Sequence, residues 1–181
     1  MEETQTKKLI VSLEVKNKEK IVKTQKEKQK RQITTTRQWI FRENDLEYEI
    51  QMKLIKEIYE NNIVNREHCT FIIRQINNKI YGYRAQDIEK NLLCEEKLID
   101  IQKVLQLMLE CNNKCFYCKE NVHVLYEYVR EPKQWTLERL DNKYGHNNDN
   151  VVIACLSCNL RRKTMYYERF VFTKQLNIIK K

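Results

Sequence analysis

Two Cys-x-x-Cys pairs, Cys115/Cys118 and Cys155/Cys158, stand 40 residues apart in the last third of this 181-residue chain. A Cys-x-x-Cys turn offers two thiolates from one short loop, and two such turns complete the tetrahedral sulfur shell that zinc favours. Four sulfurs leave no open position, so the expected ion is structural Zn2+. Cys158 would open a helix, where the dipole favours a thiolate. Structural zinc contributes roughly 10–16 kcal/mol to the folding of small peptides, a term that a segment with few aliphatic residues would need. Two chance pairs of core cysteines, or a redox dithiol, are the alternatives; a redox motif needs only one pair, in a thioredoxin-like context absent here. Seven cysteines cannot form a fully paired scaffold within one chain. Cys69 and Cys94 read as core thiols, and Cys111 as a packing residue or a fifth candidate ligand.

Composition narrows the rest. Two Gly and one Pro argue against an all-β sandwich or barrel, whose turns consume both. With 33% charged residues and a mean hydropathy of −0.73, the core is modest. No apolar run reaches a membrane-spanning length, and Met-Glu-Glu-Thr-Gln is not a signal-peptide start, so an intracellular, soluble protein is expected. The net charge of +9 sits at the ends: residues 1–37 carry 11 Lys/Arg against 5 Asp/Glu, and residues 159–181 carry 7 against 1. Two basic ends around a mildly acidic middle suit a polyanionic partner, although solvated lysine-rich surface explains the charge equally well.

Three regions are expected. Residues 1–36 form a basic tail: Leu9–Val15 alternates as a short strand, and Lys16–Arg31 is too polar to bury a core, which predicts disorder or a solvent-borne helix. Residues 37–110 form a helical subdomain. Leu46, Ile50, Leu54 and Ile58 make one stripe, Ile72, Ile73, Ile76 and Ile80 a second, and Val104, Leu105, Met108 and Leu109 a third. Gly82 is expected to end the second helix and Asp87 to cap a further segment. Residues 111–181 hold the cysteines. There, Val122–Val129 and Gln134–Leu140 are β-prone, residues 141–150 read as a loop, Val151–Ala154 as a strand, and a helix is expected from Ser157.

Within the last region, the acid Glu138 opens one strand, Asp149-Asn150-Val-Val opens the next, and Cys155-x-x-Cys158-Asn159 enters the helix. This segment resembles the HNH (ββα-metal) endonucleases built on a treble-clef zinc finger. More narrowly it resembles an HNH-like branch common in phages and large DNA viruses. The likeness covers about residues 111–170. It implies an α+β fold, a helical N-terminal region followed by a zinc-bound ββα module, and metal-dependent hydrolysis of phosphodiester bonds in DNA. By this resemblance Glu138 and Asn159 would be ligands of a catalytic Mg2+ or Mn2+, and Asn150 would orient the base or brace the hairpin.

Two positions depart from the family pattern. The acid is Glu where Asp is usual, and the base position holds Arg139, which cannot lose its proton in a protein. Arg139 can clamp a phosphate, so the base falls to His146, in the loop where many relatives have Tyr, or to the weaker candidate His123. The same residues also fit architectural roles: Arg139 paired with Asp141, Asn150 and Asn159 as turn and cap residues, His146 as an ordinary loop residue. Arg161, Arg162, Lys163 and Arg169 form an expected basic helix face for phosphate contacts. A nuclease is thereby set against a catalytically weak or inactive zinc module that binds nucleic acid or a protein, with residues 46–109 available to dock a partner.

Overall fold

The computed structural model describes residues 28–31 and 41–175. Leu9–Val15 and most of the basic tail lie outside them. Among the described residues the fold is mixed α/β. A 3-10 turn at Glu43–Leu46 precedes helices α1 (Tyr48–Tyr59), α2 (Arg66–Glu89) and α3 (Ile101–Glu110). A two-stranded antiparallel sheet of β1 (Trp135–Arg139) and β2 (Val151–Cys155) comes next, then α4 (Leu156–Arg162) and α5 (Tyr167–Gln175). No helix among the described residues is long and apolar enough to cross a membrane.

The helical stripes pack largely as their spacing demands. Leu54, Ile55 and Ile58 of α1, Ile72 and Ile76 of α2, and Val104, Leu105 and Met108 of α3 are buried, while Ile50 is left exposed. The apolar cluster does not stop at residue 110. It continues through Tyr117, Val122, Leu125, Trp135, Leu137 and Ile153 to Phe170. Each fully buried aliphatic side chain contributes about 1.5–3 kcal/mol, so helices and hairpin stabilise one another through a shared core. Asp100 caps α3 by accepting from Lys103 N at 2.8 Å, and Asn65 caps α2 by accepting from His68 N at 3.2 Å.

Four sequence expectations fail, each for a physical reason. Helix α2 does not end at Gly82; it runs 24 residues, and Asp87 lies inside it instead of capping a new segment. Gly82 faces open space, and one exposed glycine costs a helix only about 1 kcal/mol. Val122–Val129 forms isolated bridges in place of a strand, because α1 intercepts its backbone. The buried Gln51 side chain accepts from Val124 N at 2.7 Å and from Leu125 N at 2.9 Å, and donates to Leu46 O at 2.8 Å. The end of the tail is neither helical nor loose where it is described. Lys30 bridges Tyr128, and the Arg31 guanidinium lies 3.9 Å from the Tyr126 ring centroid while donating to Tyr126 O and Gln75. The last helix is two: Lys163, at φ 53° and ψ −116°, breaks α4 from α5.

The hairpin aligns the strand that faces α4. Trp135 pairs with Cys155, Leu137 with Ile153, and Arg139 with Val151. Alternation puts Thr136 and Glu138 on one face of β1, and α4 packs there: Asn159 Nδ2 donates to Thr136 Oγ1 at 3.2 Å, and Arg162 pairs with Glu138.

Candidate functional site

Cys115, Cys118, Cys155 and Cys158 bring their four sulfurs within 4.8 Å of one another, a cluster that could hold a metal ion. Local bonds build it. Cys115 N donates to Glu120 O at 2.8 Å and Lys119 N to Cys115 O at 3.0 Å, closing the first turn, with Lys119 in the left-handed region at φ 61°. Phe116 N donates to Ile153 O at 2.8 Å, which ties that turn to β2, and Cys158 N donates to Cys155 Sγ at 3.4 Å as α4 begins. Phe170 of α5 packs edge-on against Tyr117 at 4.9 Å and covers the knuckle. Hydrogen bonding from the Cys155 thiol holds Cys115 below the ordinary thiol value, and the same contact raises Cys155. Cys111 stays outside the cluster as the C-cap of α3, its Sγ 3.5 Å from Met108 O. Cys69 is buried, its Sγ 3.7 Å from Glu57 Oε2.

Across β1 from the packed core lies a cavity of about 400 Å3. It is lined by Glu138 and Arg139 of β1, His146 of the 141–150 loop, Asn159 of α4, Tyr83 and Gln86 from the last turns of α2, and Lys90 and Lys163, the residues that follow α2 and α4. Three cations, Lys90, Arg139 and Lys163, therefore border one space. Arg139 also donates to Tyr144 O at 3.2 Å.

Glu138 is buried and forms an ion pair with Arg162. Burial pushes its carboxyl up, while Arg162 and then Arg139 pull it back. Arg162 bonds Oε1 of Glu138, so Oε2 is the carboxylate's other oxygen. Asn159 spends its amide nitrogen on Thr136 Oγ1 and, at 3.5 Å, on Leu137 O, which leaves its Oδ1.

Arg162 corrects the expectation of a continuous basic face. It is 2% exposed, bonded to Glu138, Arg139 O, Leu140 O at 2.7 Å and Met165 O at 2.9 Å. A guanidinium so engaged cannot reach a phosphate; it ends α4 and holds the reversal into α5. Arg161, Lys163 and Arg169 are exposed.

His146 is buried and held on three sides. Its backbone N–H donates to Asp87 Oδ2 at 2.6 Å, and its Nδ1 lies 2.9 Å from Asp87 Oδ1. Its ring stacks on Tyr83 at 4.4 Å and 27°, and its carbonyl accepts from Ile99 N at 3.0 Å. Burial lowers the imidazole pKa, and the Asp87 charge offsets part of that shift. Gly145 permits the approach: a Cβ there would meet Leu92 O at 2.6 Å and Asp87 Oδ2 at 2.8 Å.

Asn150 does not line the cavity. Its Oδ1 accepts from Asp141 N at 2.9 Å, and its Nδ2 donates to Asp141 O at 2.9 Å and Gly145 O at 3.0 Å, so it closes the 141–150 loop. The contact that holds the His146 ring comes from Asp87. His123 is half-buried beside Gln134, outside the cavity lining. Asp141 is not paired with Arg139; its Oδ1 accepts from Lys143 N at 2.9 Å.

Sequence reasoning missed Tyr83, Asp87 and Lys90 as parts of this site. Their signal was spacing: Tyr83, Gln86, Asp87 and Lys90 fall at i, i+3, i+4 and i+7, one helical face, once the helix is allowed past Gly82. No protein-family model, curated protein or solved structure matches the chain.

Proposed function

We propose that this chain is a metal-dependent endonuclease of the HNH type that hydrolyses phosphodiester bonds in DNA, with structural Zn2+ on its four cysteines in a treble-clef arrangement. One observation carries the reading: Glu138, His146 and Asn159, from a strand, a loop and a helix, line a single cavity together with three cations. The four sulfurs fit zinc in number and softness. Glu138 Oε2 and Asn159 Oδ1 are hard oxygen donors, a set that fits Mg2+ or Mn2+, ions that keep much of their water. A divalent ion, when bound, supplies charge neutralisation at the scissile phosphate and the leaving oxygen. The side chains do the rest. Glu138 and Asn159 would hold the ion, and Lys90, Arg139 and Lys163 would draw and seat the phosphate. His146, neutral at neutral pH, would take the proton of the attacking water, a role Arg139 cannot fill.

Cleavage of plasmid DNA across Mg2+ and Mn2+ tests the proposal, with Glu138→Ala and Asn159→Ala beside the parent. Loss of cutting in both variants is the expected result; cutting unaffected by either refutes the assigned centre. A second reading, a zinc module that grips nucleic acid without cutting it, is favoured by the ion pair between Glu138 and Arg162. It predicts salt-sensitive DNA retention and no cleavage with any metal.

A further inference from the structure

We infer that Asp87 of α2 is the positioning residue of this site, fixing His146 as the Nδ1–H tautomer so that Nε2 is the nitrogen available to the cavity. The inference rests on the hydrolase reading for its purpose but not for its geometry. Asp87 is 1% exposed; its Oδ2 takes the His146 backbone N–H at 2.6 Å, and Nδ1 lies 2.9 Å from Oδ1 and 3.1 Å from Oδ2. A carboxylate only accepts, so the ring nitrogen facing it must carry the proton. The Tyr83 stack holds the ring plane, and His146 itself lines the cavity. The same pairing of an acceptor with an imidazole sets the tautomer in catalytic triads. Here the acceptor comes from the helical region, 59 residues earlier in the chain, which makes α2 part of the centre as well as its support.

Asp87→Asn is a sharp probe because the His146 backbone N–H can only donate. The amide oxygen is drawn to it, so the Asn NH2 group takes the position 2.9 Å from Nδ1 and favours the ring proton on Nε2, against the retained oxygen 3.1 Å away; Asp87→Leu, of similar size, removes both acceptors. The experiment is long-range 15N–1H NMR of the imidazoles in the full zinc-loaded chain, which has three histidines; His146→Gln identifies the signal. An Nδ1–H tautomer in the parent and Nε2–H in Asp87→Asn is the expected result. Nε2–H in the parent overturns the inference, as does an Nδ1–H tautomer that survives in Asp87→Leu, where no acceptor is left. Cleavage is read in parallel: Asp87→Asn should lower kcat by about 10²–10⁴-fold with KM little changed, and add nothing to His146→Ala. A parent that never cuts but shows both tautomers as expected would remove the hydrolase reading and leave the positioning role standing.

Discussion

The four-thiol cluster and the cationic cavity share one hairpin and one helix, yet they are assembled in opposite ways. The thiols come from two turns of four residues, the first closed by backbone bonds and the second by Cys158 N on Cys155 Sγ, joined through Phe116 and Ile153. The cavity takes its lining from β1, the 141–150 loop, α4 and the far end of α2. The first is a local construction repeated twice; the second is a convergence of distant elements. A local construction can organise the chain around it, whereas a convergent one inherits its order from the fold. Stability should therefore depend on the cluster and chemistry on the cavity.

The largest effect expected from that contrast is the loss of the metal proposed for the four sulfurs. Chelation, or Cys158→Ser, should unfold the hairpin region and with it the shared core, since structural zinc supplies roughly 10–16 kcal/mol in small peptides. Circular dichroism with metal analysis checks this; a folded, metal-free chain would reverse the comparison. Next comes Arg162→Met, which leaves the Glu138 carboxylate buried without its partner and should cost about 3–5 kcal/mol in chemical denaturation. Adding Glu138→Gln should restore most of it. That double variant asks whether the cavity carries a stabilising burden of its own.

His146→Ala separates chemistry from fold. The cleavage rate should fall about 10²–10⁴-fold while the melting transition moves little by comparison with the cysteine variant. The pH profile sharpens the point. Burial lowers His146 below its ordinary 6.5, with Asp87 raising it and Arg139 and Lys90 lowering it, beside the Tyr83 ring. The acid limb of activity should accordingly lie below 6.5 and vanish in His146→Ala. The linkage has the same sign: the unfolded chain takes up this proton first, so the contribution to stability is full above 6.5 and is lost as pH falls. Gly145→Ala should cost about 1–3 kcal/mol, because its Cβ would press on Leu92 O and the Asp87 carboxylate. The smallest change belongs to Lys163→Ala, which should leave stability within about 0.5 kcal/mol and lower the salt dependence of DNA retention by about one ion. Its neighbour Arg162 would behave oppositely, although sequence alone makes the two look alike.

That pair shows where reading residues stops. Arg161, Arg162 and Lys163 are three adjacent cations on a short helix, and spacing alone does not say which one turns inward. Packing of α4 against the Thr136/Glu138 face of β1 chose Arg162. Val122–Val129 read as β-prone, yet a single glutamine from α1 claimed two of its central amides. Propensity describes a segment's preference in isolation, and a well-placed acceptor 73 residues away outweighed it.

By itself the sequence determined what depends on near neighbours. Cysteine spacing dictated a four-sulfur cluster, β propensity marked β1, a short apolar run marked β2, and the apolar stripes of α1 and α3 announced their buried faces. Tertiary structure alone decided that Glu138 meets Arg162, that Asn150 braces a loop, and that Asp87 reaches beneath Gly145 to hold His146. Such contacts depend on where whole helices come to rest against one shared core, and that position is set by the summed burial of many side chains that no local spacing encodes.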